Sequence, residues 1–254
     1  MRDRLESEQH RLAELQMGDR AIRASFEVSY RDLARDGDGA EAARLSRLLG
    51  VFGCIDVGPE TAAALADLPA GRAGELLESL VEGQLVETPG PGRYRMHALL
   101  RLYARECAET FDTEQATSAG VHRVLHCYLR TGRAATLLLN PAASWRTELG
   151  PRHEGDQGPA LRDSREANAW VDEEAANLAA VVHQAASRDD NLTIALAAAL
   201  TYPLYVRGHW RQELVLCEIA VETAERTGDP VYKAFAYTNL GTVRPQLDWL
   251  VSCA

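Results

Sequence analysis

Arg93-Tyr94-Arg95-Met96-His97-Ala98-Leu99-Leu100-Arg101-Leu102-Tyr103-Ala104-Arg105-Glu106 is the stretch on which the fold of this chain turns. A Pro-Gly-Pro-Gly loop, Pro89 to Gly92, precedes it, and before that lies a β-prone run, Gln84 to Thr88. Two short strands joined by a Pro/Gly turn form a hairpin. The second strand runs straight into a helix. On it Met96, Leu99, Leu100, Tyr103 and Cys107 recur at i, i+3, i+4, i+7 and i+11 and make one apolar face. His97, Arg101 and Arg105 fall elsewhere. Helices, a hairpin and a further helix give the outline of a winged-helix unit.

Working outward, the spacing predicts helices over 4–28, 40–49, 62–68 and 72–82. Met17-Gly18-Asp19 suggests a break in the first, and Asp36 to Gly39 a turn. Tyr30 and Leu33 are expected as core anchors. So are Leu45, Leu48 and Leu49 in the second helix and Leu76, Leu77, Leu80 and Val81 in the fourth. Pro59 suits the first position of the third helix, and Gly83 is expected to close the fourth at C′. Beyond the hairpin, 113–139 is helical, and 140–163, rich in Gly and Pro, reads as a linker. Ser164 is the expected cap of the next helix. Helices follow at 191–206, 210–227 and 231–243. The sequence then departs from its pattern at Arg244-Pro245, as in a truncated repeat array.

The segment RYRMHALLRLYARE resembles RYRxHDLLRLYARE of AfsR/SARP-like regulators, signal-transduction (STAND) ATPases carrying an NB-ARC module. In that family it is the Met-His-Asp motif of the second ARC subdomain (ARC2), a winged helix. The family's histidine reaches the β-phosphate of bound ADP and helps to hold the off state. The resemblance therefore implies a nucleotide-binding role for His97. Met96 and His97 match, whereas Ala98 stands where the family has Asp. LAEL…GDRAIRASFEVSYRDL, ending at Leu33, is similar to the end of the first ARC subdomain and the SYxxL entry to the winged helix. ANAWVDEEAANLAAVV, from Ala167, is similar to the helix that follows the module. Gly208-x-Trp210, Ala220, Pro230 and Tyr237-x-x-Leu240-Gly241 resemble tetratricopeptide helix pairs, in which the aromatic fills the gap between crossing helices.

The expected fold is thus mainly α: a winged-helix domain with a small β-hairpin, then an α-helical tetratricopeptide-like repeat region. The expected boundaries are 1–28 for the end of an ARC1-like subdomain and 29–111 for the winged helix. Residues 112–163 follow as helical segment and linker, and 164–254 as truncated repeats.

Chemistry is bounded by what the 254 residues contain. A net charge of −10 opposes wholesale binding to nucleic acid or anionic membrane. The start has no apolar h-region and no run is long enough to span a bilayer. Five scattered cysteines with no C-x-x-C read as reduced thiols, and the chain is expected in the cytoplasm. Lys233 is the single lysine among many arginines, a codon habit that fits an actinobacterial origin. Neither a glycine cradle nor a Ser/Thr accompanies it, so there is no Walker A motif. His122 and His126, at i, i+4 beside Cys127, lack the glutamate of H-E-x-x-H and read as surface or partly packed. No catalytic or metal-ligating set is found, and the expected cofactor of this chain alone is none. For full-length relatives the resemblance implies ADP/ATP. It also implies a P-loop domain in cis or trans, protein partners on the repeats, and DNA contact only through domains outside this chain.

The candidate recognition helix argues against DNA. From Gly71 to Glu87 there is one Arg (Arg72) against four Glu (Glu75, Glu78, Glu82, Glu87), a net of −3. Three readings remain in order: a partial signal-transducing transcriptional regulator, a free-standing protein–protein interaction module, and a DNA-binding winged helix.

Overall fold

The computed structural model describes residues 18–33, 39–150 and 161–252. The expected helix over 4–17, the turn at Asp36 and the glycines at 155 and 158 lie outside the described residues. The described chain is mainly α with one small hairpin, and it divides into two compact units. The first holds residues up to Phe52 and Val57–Ser118, the second Gly53–Asp56 and everything from Ala119.

In the first unit the order is α1 (Gly18–Leu33), α2 (Gly39–Val51), α3 (Pro59–Ala66), α4 (Ala70–Glu82), β1 (Glu87–Gly90), β2 (Arg93–Arg95) and α5 (Ala98–Phe111). Leu45, Leu48, Leu65, Leu76, Leu77 and Leu80 are fully buried and form the core of this helical triad and its hairpin. Burying each stabilises the fold by about 1.5–3 kcal/mol before entropy is counted. Pro59 sits in the first turn of α3, as its spacing predicts. The antiparallel strands pair Glu87 with Arg95 and Gly90 with Arg93, with an irregularity between. Tyr94 also exchanges two backbone hydrogen bonds with Val57, at 2.8 and 2.9 Å, so a third extended segment borders the hairpin.

The first strand lies later than expected. Leu85 and Val86 fold back to donate to the Leu80 carbonyl, and pairing begins only at Glu87. Gly83 does not take the left-handed conformation at the end of α4 (φ −74°). Gln84 takes it instead, at φ +57°. Leu100, Ala104, Cys107 and Ala108 make the buried face of α5, with Leu99 and Tyr103 half-buried at its edge. Gly50 is what lets α2 approach that face, since a methyl group there would lie 2.7 Å from the Ala104 Cβ. Arg47 ties three elements together. It donates to both Asp112 carboxylate oxygens (2.6 and 2.9 Å) and to the Tyr30 hydroxyl (2.6 Å). Burial alone would push this guanidinium down; its bonds to Asp112 and Tyr30 reverse that and raise it above its ordinary value.

In the second unit α6 (Glu114–Leu139, entered from the first unit) leads to a 3-10 helix, Pro141–Glu148, then α7 (Ser164–Ala186), α8 (Asp190–Arg207), α9 (Trp210–Thr227) and α10 (Pro230–Ser252). Each of α7 to α10 packs on the next, α7 on α9, and α8 on α10, which is the layout of stacked helical hairpins. Gly208 and Gly228, at φ +76° and +73°, end α8 and α9 and permit their tight turns. Asp163, not Ser164, caps α7; its carboxylate accepts from the backbone N–H groups of Arg165 and Glu166 at 2.8 and 2.9 Å. Tyr237 does not fill the gap between helices. It is 52% exposed and bonds Glu225, while Phe235, two residues earlier, packs on Ile194, Ala197, Ala198, Ala220 and Ala224. Beside Tyr237, Lys233 donates to the same Glu225 at 2.8 Å.

α10 runs on through Pro245, past the expected end at Val243. Proline there removes only the bond to the Gly241 carbonyl. Both residues lie on the exposed face, where water can supply the donor.

Candidate functional site

His97 lies between β2 and α5. Its neighbours Tyr94 and Met96 are anchored in the core, and the Tyr94 hydroxyl donates to Glu78 on α4. This bond, with burial, pushes the Tyr94 phenol up to about 12. His97 itself is exposed and caps α5: its Nδ1 accepts the Leu99 N–H at 3.4 Å. A neutral imidazole that accepts at Nδ1 carries its proton on Nε2. The turn therefore presents an N–H donor beside a helix N-terminus, a place that favours anions. Ala98, the first helical residue, is exposed and adds no polar group.

On α4 the lone cation is already engaged. Arg72 donates to Glu41 at 2.8 and 3.0 Å and to Glu75 at 3.0 Å. The helix that would enter a DNA groove thus offers carboxylates and a neutralised arginine, not phosphate ligands.

The second unit contains a buried polar cluster that the sequence did not disclose. The stretch read as linker carries the 3-10 helix, and from it Arg146 reaches across two helices. Its Nη1 donates to Thr201 of α8 at 3.2 Å and its Nη2 to Asn239 of α10 at 3.0 Å. The guanidinium carbon lies 4.8 Å from the Trp145 ring centre, 5.7 Å from Tyr202 and 5.8 Å from Phe235. Glu213 of α9 is 2% exposed, and its Oε2 has no hydrogen-bond partner. Burial pushes its carboxyl up to about 8 against the pull of Arg146. Burial, and then the nearby Glu213, push the Cys217 thiol up to about 12. A half-buried arginine bonds a buried threonine and a buried asparagine, and a buried carboxyl on a fourth segment is coupled to it electrostatically. The signal available in sequence was Glu213 and Cys217, a charged and a polarisable group on the mostly apolar inward face of α9.

The chain is 38% identical over 187 residues to the regulatory protein AfsR of Streptomyces coelicolor, and 37% identical over 186 residues to that of Streptomyces griseus. It resembles AfsR. Each match covers 72% of this chain but 18% of the relative, so the AfsR-like chain spans about a fifth of the length of the curated relatives it matches. No family model matches it, and no solved structure does.

Two other features of the AfsR-like chain bear on function. His122 and His126 face each other on α6, with Nε2 atoms 3.0 Å apart, His122 exposed and His126 buried. Among the described residues no group of three His, Cys, Asp or Glu is placed to hold a metal, and no helix is long and apolar enough to cross a membrane. On α7 the Asn177 side chain is buried and holds the Gly53–Asp56 segment. Its Oδ1 accepts the Ile55 N–H at 3.0 Å, and its Nδ2 donates to the Asp56 carbonyl (3.1 Å) and to Glu174 (2.9 Å). Glu174 also accepts from the Tyr128 hydroxyl at 2.6 Å.

Proposed function

We propose that this chain is the coupling part of an AfsR-like transcriptional regulator, in which a nucleotide-sensing winged helix of ARC2 type is joined to a tetratricopeptide-like sensor. The observation that carries the reading is the 38% identity to a regulatory protein over most of the chain. The exposed His97 at the head of α5 supports the nucleotide half, because it offers a donor where a phosphate would be stabilised. The stacked hairpins of α7 to α10 support the sensor half.

In this reading the nucleotide is ADP or ATP, and a P-loop supplied in cis or trans holds most of it. A single hydrogen bond from His97 to a phosphate contributes about 1–3 kcal/mol, whereas micromolar affinity requires about 8 kcal/mol. Calorimetry on this chain alone should therefore detect ADP binding no tighter than millimolar. With an NB-ARC P-loop fragment added, His97→Ala should weaken ADP retention and Ala98→Asp should strengthen it. Micromolar binding of ADP by the chain alone would contradict the reading.

The runner-up, a protein-interaction module acting by itself, is favoured by the polar cluster around Arg146. DNA reading by α4 is disfavoured by the pairing of Arg72. Purified chain is expected not to retard duplex DNA at physiological salt.

A further inference from the structure

The polar cluster around Arg146 has the composition of a receptor whose ligand is part of the same chain. Its acceptors, Thr201 Oγ1 and Asn239 Oδ1, come from α8 and α10, and the rings of Tyr202 and Phe235 from the same two helices. The group they hold comes from the separate 3-10 segment. Much of that segment lies at the surface. Of its residues only Ala143 is buried, and Trp145 is 49% exposed. The match is also incomplete. Glu213 is buried and coupled electrostatically to Arg146, yet its Oε2 has no hydrogen-bond partner. A buried carboxyl oxygen without a hydrogen-bond partner is destabilising, so a ligand that also reached Glu213 would gain over the resident arginine. The net charge of −10 further favours a cationic visitor.

We propose that Thr201, Glu213 and Asn239 form a receptor for a guanidinium side chain, occupied in cis by Arg146, and that a partner peptide bearing an arginine beside an aromatic residue displaces segment 141–148 to bind there. The partner half rests on the sensor reading given above; the receptor half stands without it.

The test uses the whole chain carrying Arg146→Ala. Ethylguanidinium at millimolar concentration should raise the melting temperature of Arg146→Ala and leave the parent chain unmoved. Adding Asn239→Ala should abolish the rescue. A fluorescein-labelled peptide copying residues 140–150 should bind Arg146→Ala at least about tenfold tighter than the parent chain, whose tethered arginine competes at high effective concentration. The same peptide with alanine for its arginine should not bind. Should Arg146→Ala fail to fold, Arg146→Lys, which keeps the charge and loses the fork, carries both arms. No rescue by ethylguanidinium overturns the receptor. Rescue without peptide binding, or exchange of the segment between two copies seen as a dimer in sedimentation, overturns the partner. Loss of nucleotide coupling at His97 alone would leave both arms as expected, so the two readings fail separately.

Discussion

The hydroxyl of Thr136 donates to the carbonyl of Ala199 at 2.8 Å, and both residues are fully buried. That carbonyl lies four residues before Pro203, which has no N–H to give it. A side chain of α6 thus replaces the missing backbone donor inside α8. Gly132, one turn earlier on α6, makes the approach feasible; a methyl group there would meet Leu200 at 2.6 Å and Ala199 at 3.3 Å. Thr136→Val keeps the volume and removes the donor, so it should lower stability by about 1–3 kcal/mol. In a Pro203→Ala background the helix supplies its own donor, and the cost should shrink to a few tenths. Urea titrations of the four proteins form the cycle, and equal costs in both backgrounds would refute the replacement.

Arg47 and Asp112 are both largely buried and bonded through two oxygens. Asp112→Ala would leave the guanidinium without its carboxylate and should cost about 3–5 kcal/mol. The loss should persist at high salt, since a buried pair is poorly screened. A change below 1 kcal/mol in denaturant unfolding would mean that the pair is open to water.

Asn177 should govern the exchange of two amides far from it in sequence. With Asn177→Ala the Ile55 N–H loses its acceptor, and hydrogen exchange at Ile55 should accelerate at least tenfold, with a stability loss of about 1–3 kcal/mol. Unchanged protection at Ile55 would show that another group accepts that proton.

Glu213 sets a pH dependence. Its folded pKa is about 8 against an ordinary 4.5. Between these values the folded chain holds a proton that the unfolded chain has released. Its contribution to stability is therefore complete below about pH 4.5 and is lost as pH rises through 8. Glu213→Gln mimics the protonated carboxyl, and should flatten this slope and stabilise the fold at pH 8, on the order of 1–3 kcal/mol. Thermal melts at pH 5 and pH 8 read it out, and a parent chain that is more stable at the higher pH by this group would reverse the sign.

At the end of α4, Gln84 holds a left-handed backbone that glycine adopts without cost. Gln84→Gly should be neutral or stabilising by up to about 1 kcal/mol, whereas Gln84→Val should destabilise by a similar amount. Chemical denaturation separates the two.

What the sequence discloses here is periodic and local. α9 begins and ends where it was expected, because Gly208 and Gly228 mark its turns, and Leu45, Leu48, Leu76, Leu77 and Leu80 recur at helical spacing and are buried. The misses have physical reasons. Gly83 and Gln84 are adjacent, and composition cannot say which of two neighbours turns left-handed. Asp163 and Ser164 both cap well, and the chain direction picked the first. Pro203 and Pro245 sit inside helices because a threonine serves one carbonyl and an exposed helix face opens the other to water. The Arg146 cluster was invisible because Arg146 and Asn239 are 93 residues apart and its members share no spacing. His97, by contrast, stands out from its motif in the sequence, while its role as the cap of α5 is seen only in the structure.

The pairing of Lys233 with Glu225 has a practical side. With only one lysine in the sequence, an amine-reactive dye modifies α10 and, besides it, only the α-amino group. The dye would sit two residues from Phe235, against which the indole of Trp145 packs edge-on at 6.5 Å. Trp145 is one of four tryptophans, so the share of energy transfer lost on substituting it is the share that reports the departure of segment 141–148.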